Sequence, residues 1–227
     1  LDAVLFDGKA RLQGKALINE KLPWSAEIDI KPGRYDFLLS TVLQDIPEDV
    51  LLNMKAHAEM SGDRKHYSAS AVIDHLNMSL FGHGFSNESD IKLKMEDRKL
   101  TFSAFTMRSG SGSFKLKGGM DIGRDYDMTL EGRSSLSPLK GLSKFISVLR
   151  GDADFALSIL GKWGKPIVNG SVNIANGSFG VVDVHQRLSS ISGNFQFEND
   201  RVVIRKLTGK LGSGDIDASG VAYLKGF

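Results

Sequence analysis

Residues 93–122, LKMEDRKLTFSAFTMRSGSGSFKLKGGMDI, return at residues 195–224 as FQFENDRVVIRKLTGKLGSGDIDASGVAYL, 102 positions on and without a gap. Glu96 falls on Glu198, Thr106 on Thr208, Gly110-Ser111-Gly112 on Gly212-Ser213-Gly214 and Gly118 on Gly220. Between these fixed points apolar meets apolar. Leu93 falls on Phe195, Met95 on Phe197, Leu100 on Val202, Phe102 on Ile204, Phe105 on Leu207 and Phe114 on Ile216. A repeat this long, built of strand patterns, predicts a fold that grows along one direction rather than closing around one centre.

Strand patterns dominate outward from this pair. Residues 194–198 (NFQFE) and 215–219 (DIDAS) alternate apolar and polar, the period of a strand with one wet face. The polar tetrads 96–99 (EDRK) and 198–201 (ENDR) suit hairpin turns, and Gly110-Ser111-Gly112 and Gly212-Ser213-Gly214 suit the next bends. Further alternating runs lie at 9–18, 25–30, 53–60, 67–80, 114–122, 126–131, 152–160 and 170–174. Two segments break the rhythm. Residues 136–149 (LSPLKGLSKFISVL) space Leu139, Leu142, Phe145, Ile146 and Leu149 at helical intervals behind Ser137 and Pro138, which predicts an amphipathic helix over 137–149. Residues 34–43, with Pro47-Glu48-Asp49 beyond them, read as a shorter counterpart.

Composition narrows the function classes. The 227 residues are 41% hydrophobic and 25% charged, in the range of a folded protein. A net charge of +2, from 29 basic and 27 acidic residues spread evenly, gives no strong overall field to attract nucleic acid or an anionic membrane. The absence of cysteine excludes disulfides and thiolate metal sites. No apolar run is long enough for a membrane-spanning helix, and no signal sequence is present. Because residues 1–30 already read as strands in mid-course and Leu1 is not a methionine, the expectation is a piece of a longer polypeptide, with any anchor elsewhere.

Reactive constellations are missing from the linear sequence. His57, His66, His75, His83 and His185 form no ligand spacing, so neither metal nor cofactor is assigned. Residues 161–166 (GKWGKP) lack the spacing and the Ser/Thr of a phosphate loop. Ser111 and Ser213 lack the frame of a nucleophile elbow and read as turn residues. Asn77, Asn87 and Asn176 begin glycosylation-type triplets of a kind that chance produces. Trp24 and Trp163 read as packing at strand ends rather than as sugar platforms. The chain reads as a non-enzyme.

Residues 151–224 carry an ordered series: Gly161-Lys162-Trp163, Pro166, Gly170, Gly193, the Phe195/Phe197 strand, the Gly212-x-Gly214 bend and Gly220. This series resembles the repeat of the TamB family, the inner-membrane subunit of the translocation and assembly module, within the AsmA-like group of bridge-like lipid-transfer proteins. On that resemblance, 1–92 is a divergent repeat, 93–150 the end of the next together with the helix over 137–149, and 151–227 a second repeat. Residues 62–65 (GDRK) depart from the pattern, having neither the Trp nor the Pro.

The resemblance implies an all-β fold with short helices, in which an elongated, curved, mainly antiparallel sheet folds into an open trough of repeats about 100 residues long. It implies a periplasmic segment of a protein anchored in the inner membrane. Such a segment would serve outer-membrane biogenesis by carrying phospholipid, or by assembling outer-membrane proteins with a TamA-type barrel that meets other parts of the full protein. Phospholipid acyl chains, and also unfolded outer-membrane proteins, are the implied partners. The lining candidates are Leu93, Met95, Leu100, Phe102, Phe114, Leu116, Phe195, Phe197, Val202, Ile204 and Ile216, and thirteen Phe and seven Met suit a wide, adaptable lining. A scaffold that takes up strands by β-augmentation and a β spacer or adhesin with a sealed core are the alternatives.

Overall fold

The structure, a computed structural model, describes residues 2–5, 10–36, 50–80, 82–110, 112–142 and 144–224. The fold is all-β. Fifteen strands form one sheet, and all the pairings for which a register is given are antiparallel. They are β1 (Asp2–Leu5), β2 (Ala10–Ala16), β3 (Trp24–Arg34), β4 (Val50–Gly62), β5 (Tyr67–Leu80), β6 (His83–Asn87), β7 (Ile91–Glu96) and β8 (Lys99–Ser109). They continue as β9 (Gly112–Asp121), β10 (Asp125–Ser135), β11 (Ile146–Lys162), β12 (Ile167–Val181), β13 (Leu188–Asn199), β14 (Arg201–Leu211) and β15 (Gly214–Tyr223). Hydrogen bonding follows chain order, except that β7 leaves the main path to pair with β5 and β8.

Both expected tetrad turns are present. Asp97 (φ 51°) turns β7 into β8, pairing Glu96 with Lys99, and Asn199 (φ 60°) turns β13 into β14, pairing Glu198 with Arg201. The strands made by the quoted segments share their bounds under the shift of 102: β8 ends at 109 where β14 ends at 211, and β9 spans 112–121 where β15 spans 214–223.

The expected helix over 137–149 is corrected. Among the described residues of that span a 3-10 helix, Ser137–Leu142, forms instead, and β11 begins at Ile146. Ile146, Val148 and Leu149 pair with Val181, Gly180 and Phe179 of β12, so β-branched residues take a sheet partner in place of a helical turn. The expected counterpart at 34–43 lies largely outside the described residues.

Packing divides the chain into two units, Leu1–Met107 with Lys117–Ile122, and Arg108–Leu116 with Gly123–Phe227. The first unit holds a small sealed cluster of Tyr35, Leu52, Met54 and Ala56, backed by Ile30, Ile73, Leu76 and Met78. Tyr35 is fully buried there, and its hydroxyl donates to the Lys31 carbonyl at 2.7 Å. Nine of the buried hydrophobic residues among those described belong to this unit; the second unit has Ala153 and Val202, with Pro138 also buried.

In the second unit, bulges fall on three successive strands: at Ala175–Asn176 of β12, Ser190–Ile191 of β13 and Arg205–Lys206 of β14. Asn176 and Ser190 take positive φ (52° and 50°) there. Each bulge bends its strand, and on β14 the extra residue returns Leu207 to the face held by Val202 and Ile204.

Candidate functional site

Register decides which side chains share a face, because directly paired residues of an antiparallel sheet point the same way. In the second unit one row runs across six strands as Leu130, Leu157, Gly170, Phe197, Val202 and Ala222. The next is Gly132, Phe155, Val172, Phe195, Ile204 and Gly220, and the third Ser134, Ala153, Ile174, Gly193, Leu207 and Ala218. Ser134 is the single polar side chain in these three rows. Phe114 of β9 lies against Gly132, since a Cβ added to that glycine would come within 2.6 Å of the Phe114 Cα. Gly193 makes room for its neighbour: an added Cβ there would meet the Phe195 ring at 2.8 Å, so that ring lies over the glycine.

The opposite face of the same strands is mainly polar, with Leu160, Ile167, Val203 and Val221 among its apolar members. The Arg133 guanidinium donates to both oxygens of Asp154 at 2.7 and 2.6 Å. The Asn194 amide donates to Asn173 at 2.5 Å, and Arg201 donates to Glu198.

Burial separates this apolar face from a sandwich core. Leu130, Phe155, Leu157, Val172, Phe195, Phe197 and Ile204 are all half-buried. The inward side chains of a closed β-sandwich would be fully covered by the facing sheet. What such half-covered rows can do chemically is take up apolar groups.

The first unit repeats the arrangement with smaller residues. Leu12, Ile28, Ala58, Ala71, Leu93 and Phe102 form one row, and Gly14, Ala26, Met60, Ala69, Met95 and Leu100 the next. Gly14, Ala26, Met60, Ala69 and Met95 of that second row, with the residues on either side of them on β2, β3, β4, β5 and β7, line a concavity of about 760 Å³. Phe102 meets Phe105 edge to face, with ring centroids 5.8 Å apart.

The eleven sequence candidates therefore fall into two groups. Leu93, Met95, Leu100 and Phe102 share a face in the first unit. Phe114, Leu116, Phe195, Phe197, Val202, Ile204 and Ile216 belong to the second. Val202 is buried and the other ten are half-buried. Ile216 sits opposite Gly209 and alternates with Ala218 and Gly220, which places it on the apolar face of β15. Sequence reasoning missed Leu130, Phe155, Leu157, Val172, Ile174 and Leu207. Their alternation was visible, but only register shows that they continue the rows of Phe195 and Phe197.

The polar face also gathers residues that no linear spacing links. His57 of β4 lies across from Asp29 of β3, and its Nδ1 is 2.8 Å from that carboxylate. Glu27 and Glu59 lie 3.9 and 3.8 Å from Nε2. The hydrogen bond that the ring donates to Asp29 is the main cause that raises the imidazole above its ordinary value of 6.5. Glu27, Asp29 and His57 bring donor atoms within 4.8 Å of one another, enough in number to hold a cation, on an exposed surface.

The two tryptophans sit at strand ends. Trp24 opens β3 opposite Gly62. Trp163, in the turn from β11 to β12, stacks on Tyr126 with centroids 4.8 Å apart and planes 12° apart.

Comparison with known proteins finds no family model, no curated protein and no solved structure that matches the chain.

Proposed function

We propose that the chain is a lipid-handling segment of a TamB-like envelope protein, working in the periplasm by shielding phospholipid acyl chains along the apolar faces of its sheet. The observation that carries this reading is the half-buried apolar face of the second unit, six strands wide, in a unit where Ala153, Val202 and Pro138 are the buried apolar side chains among the described residues. A 16-carbon chain crossing water exposes about 0.8 kcal/mol per CH2, on the order of 12 kcal/mol in all. Rows of Phe, Leu, Ile and Val that keep part of their surface open offer that chain a place to lie. Sequence likeness to the TamB repeat supports the setting: anchorage in the inner membrane through other segments, a TamA-type barrel as outer-membrane partner, and no catalytic step.

A spacer with a sealed core is the second reading. The Tyr35, Leu52, Met54 and Ala56 cluster favours it locally, within the first unit.

Native mass spectrometry of the chain purified without detergent tests the proposal. Bound phospholipid is expected, and it is expected to be absent from a folded double variant carrying Phe102→Glu and Ile204→Glu. Wild-type protein that carries no lipid when offered it, or a folded double variant that keeps its lipid, would overturn the reading.

A further inference from the structure

Antiparallel order sends three connections out of the same end of the second unit: residues 136–145 between β10 and β11, 182–187 between β12 and β13, and the turn from β14 to β15. The first two carry the most exposed apolar side chains at that end. Phe145 is 77% exposed, Val184 52%, Leu139 48% and Val182 43%. They are joined there, because the Val182 N–H donates to the Phe145 carbonyl at 2.8 Å. Cations stand beside the tips: Lys140 follows Leu139, Lys144 precedes Phe145, and Arg187 ends the second connection, against one carboxylate, Asp183.

We propose that this end of the second unit docks on an anionic lipid bilayer. Phe145, Leu139 and Val182 would enter the interfacial region, with Lys140, Lys144 and Arg187 on the headgroup phosphates. The pairing of an apolar tip with an adjacent long cation decides between occupants. In a protein interface the core excludes lysine, so each amine beside its tip would be desolvated without a partner. At a bilayer surface the tip sinks while the amine stays at the level of the phosphates, where each basic residue contributes about 1 kcal/mol. No groove is required, so this inference stands apart from the acyl-chain reading of the sheet face.

The test is co-sedimentation of the 227-residue chain with vesicles of phosphatidylglycerol and phosphatidylcholine in equal parts, and with phosphatidylcholine alone. Binding is expected on the anionic vesicles only. Three cations at the surface make the charge-removing variant Lys140→Gln, Lys144→Gln, Arg187→Gln weaker by tenfold or more, about 1 kcal/mol being lost per site. The variant Phe145→Ser, Val182→Ser is expected to weaken as strongly while keeping its charges. All five substitutions lie in exposed connections, so both proteins should retain the strand signature in circular dichroism. A Phe145→Trp reporter in a chain with Trp24→Phe and Trp163→Phe is expected to shift its emission to the blue on the same vesicles. Wild-type protein that ignores anionic vesicles, or binding that survives both variants, overturns the proposal. Uptake of a soluble fatty acid without vesicles reads the sheet face separately, so a loss confined to vesicle binding leaves the proposed function intact.

Discussion

Replacing Phe195 by glutamate asks directly whether the apolar face of the second unit is closed. Phe195 is half-buried between Val172 and Ile204, with its ring over Gly193. Removing it forfeits roughly 100 Å² of buried apolar surface, about 2.5 kcal/mol at 25 cal/mol per Å². The new carboxylate should add little, because a side chain on a half-open face can turn its oxygens to water. Met54 supplies the contrast within the same molecule, since it is 8% exposed inside the Tyr35 cluster. Met54→Glu loses a similar apolar term and also strands a charge, which costs several kcal/mol more. Urea unfolding can follow each unit by its own tryptophan: Trp24→Phe leaves Trp163 to report on the second, and Trp163→Phe leaves Trp24 for the first. Lowering the pH should relieve Met54→Glu, because a buried carboxyl has a raised pKa and is cheap to bury once neutral; Phe195→Glu should show no such relief. If Phe195→Glu is as damaging as Met54→Glu and shares its pH dependence, the face is sealed, and the acyl-chain reading falls with it.

Two further outcomes are expected. Gly170 has φ 129°, and an added Cβ would lie 2.0 Å from the Ala156 carbonyl oxygen, so Gly170→Ala should force β11 and β12 apart. A cost of about 3 kcal/mol or more is expected in urea unfolding, while Gly164→Ala, with nothing within 4 Å, should stay within roughly 0.5 kcal/mol of wild type. The His57 imidazole, raised by Asp29, should titrate above 6.5 by NMR, and Asp29→Asn should bring the midpoint down. Because the folded value is the raised one, the linked stability is full below the unfolded value and fades as pH rises through the folded value; Asp29→Asn should flatten that slope, and an unmoved midpoint would remove Asp29 as its cause.

Much of this fold is legible in the sequence because the sheet is local. Neighbouring strands are mostly consecutive, so alternation and turn residues identify both the elements and their partners, as at 96–99 and 198–201. Legibility fails where one pattern has two solutions. Leu139, Leu142, Phe145, Ile146 and Leu149 suit a helix, yet Gly141 weakens it and Ile146 and Val148 favour a strand once β12 is alongside. The bulges were invisible for another reason. Nothing in Ala175-Asn176 or Ser190-Ile191 announces an extra residue, and each bulge changes which residues share a face beyond it. For the site, alternation picks out the apolar face of each strand but not its neighbours across the sheet, so Phe155 and Val172 went unrecognised beside Phe195.

A sheet with so little sealed packing in its second unit must hold its register by other means, since a slip of one residue would exchange the apolar and polar faces. The long strands contribute: β11 has 17 residues and β12 has 15, so a slip breaks many backbone hydrogen bonds at once. The polar face adds specificity through Arg133 with Asp154, Asn173 with Asn194, and Glu198 with Arg201. Exposed pairs of this kind contribute little net stability, but each is satisfied in only one register. Register is thus fixed from the wet side, and the opposite side need not be packed shut to define the fold. That division of labour is what the proposed lipid-handling role requires of the rows of Phe195 and Phe197, and a sandwich core, which must close in order to fold, would not meet it.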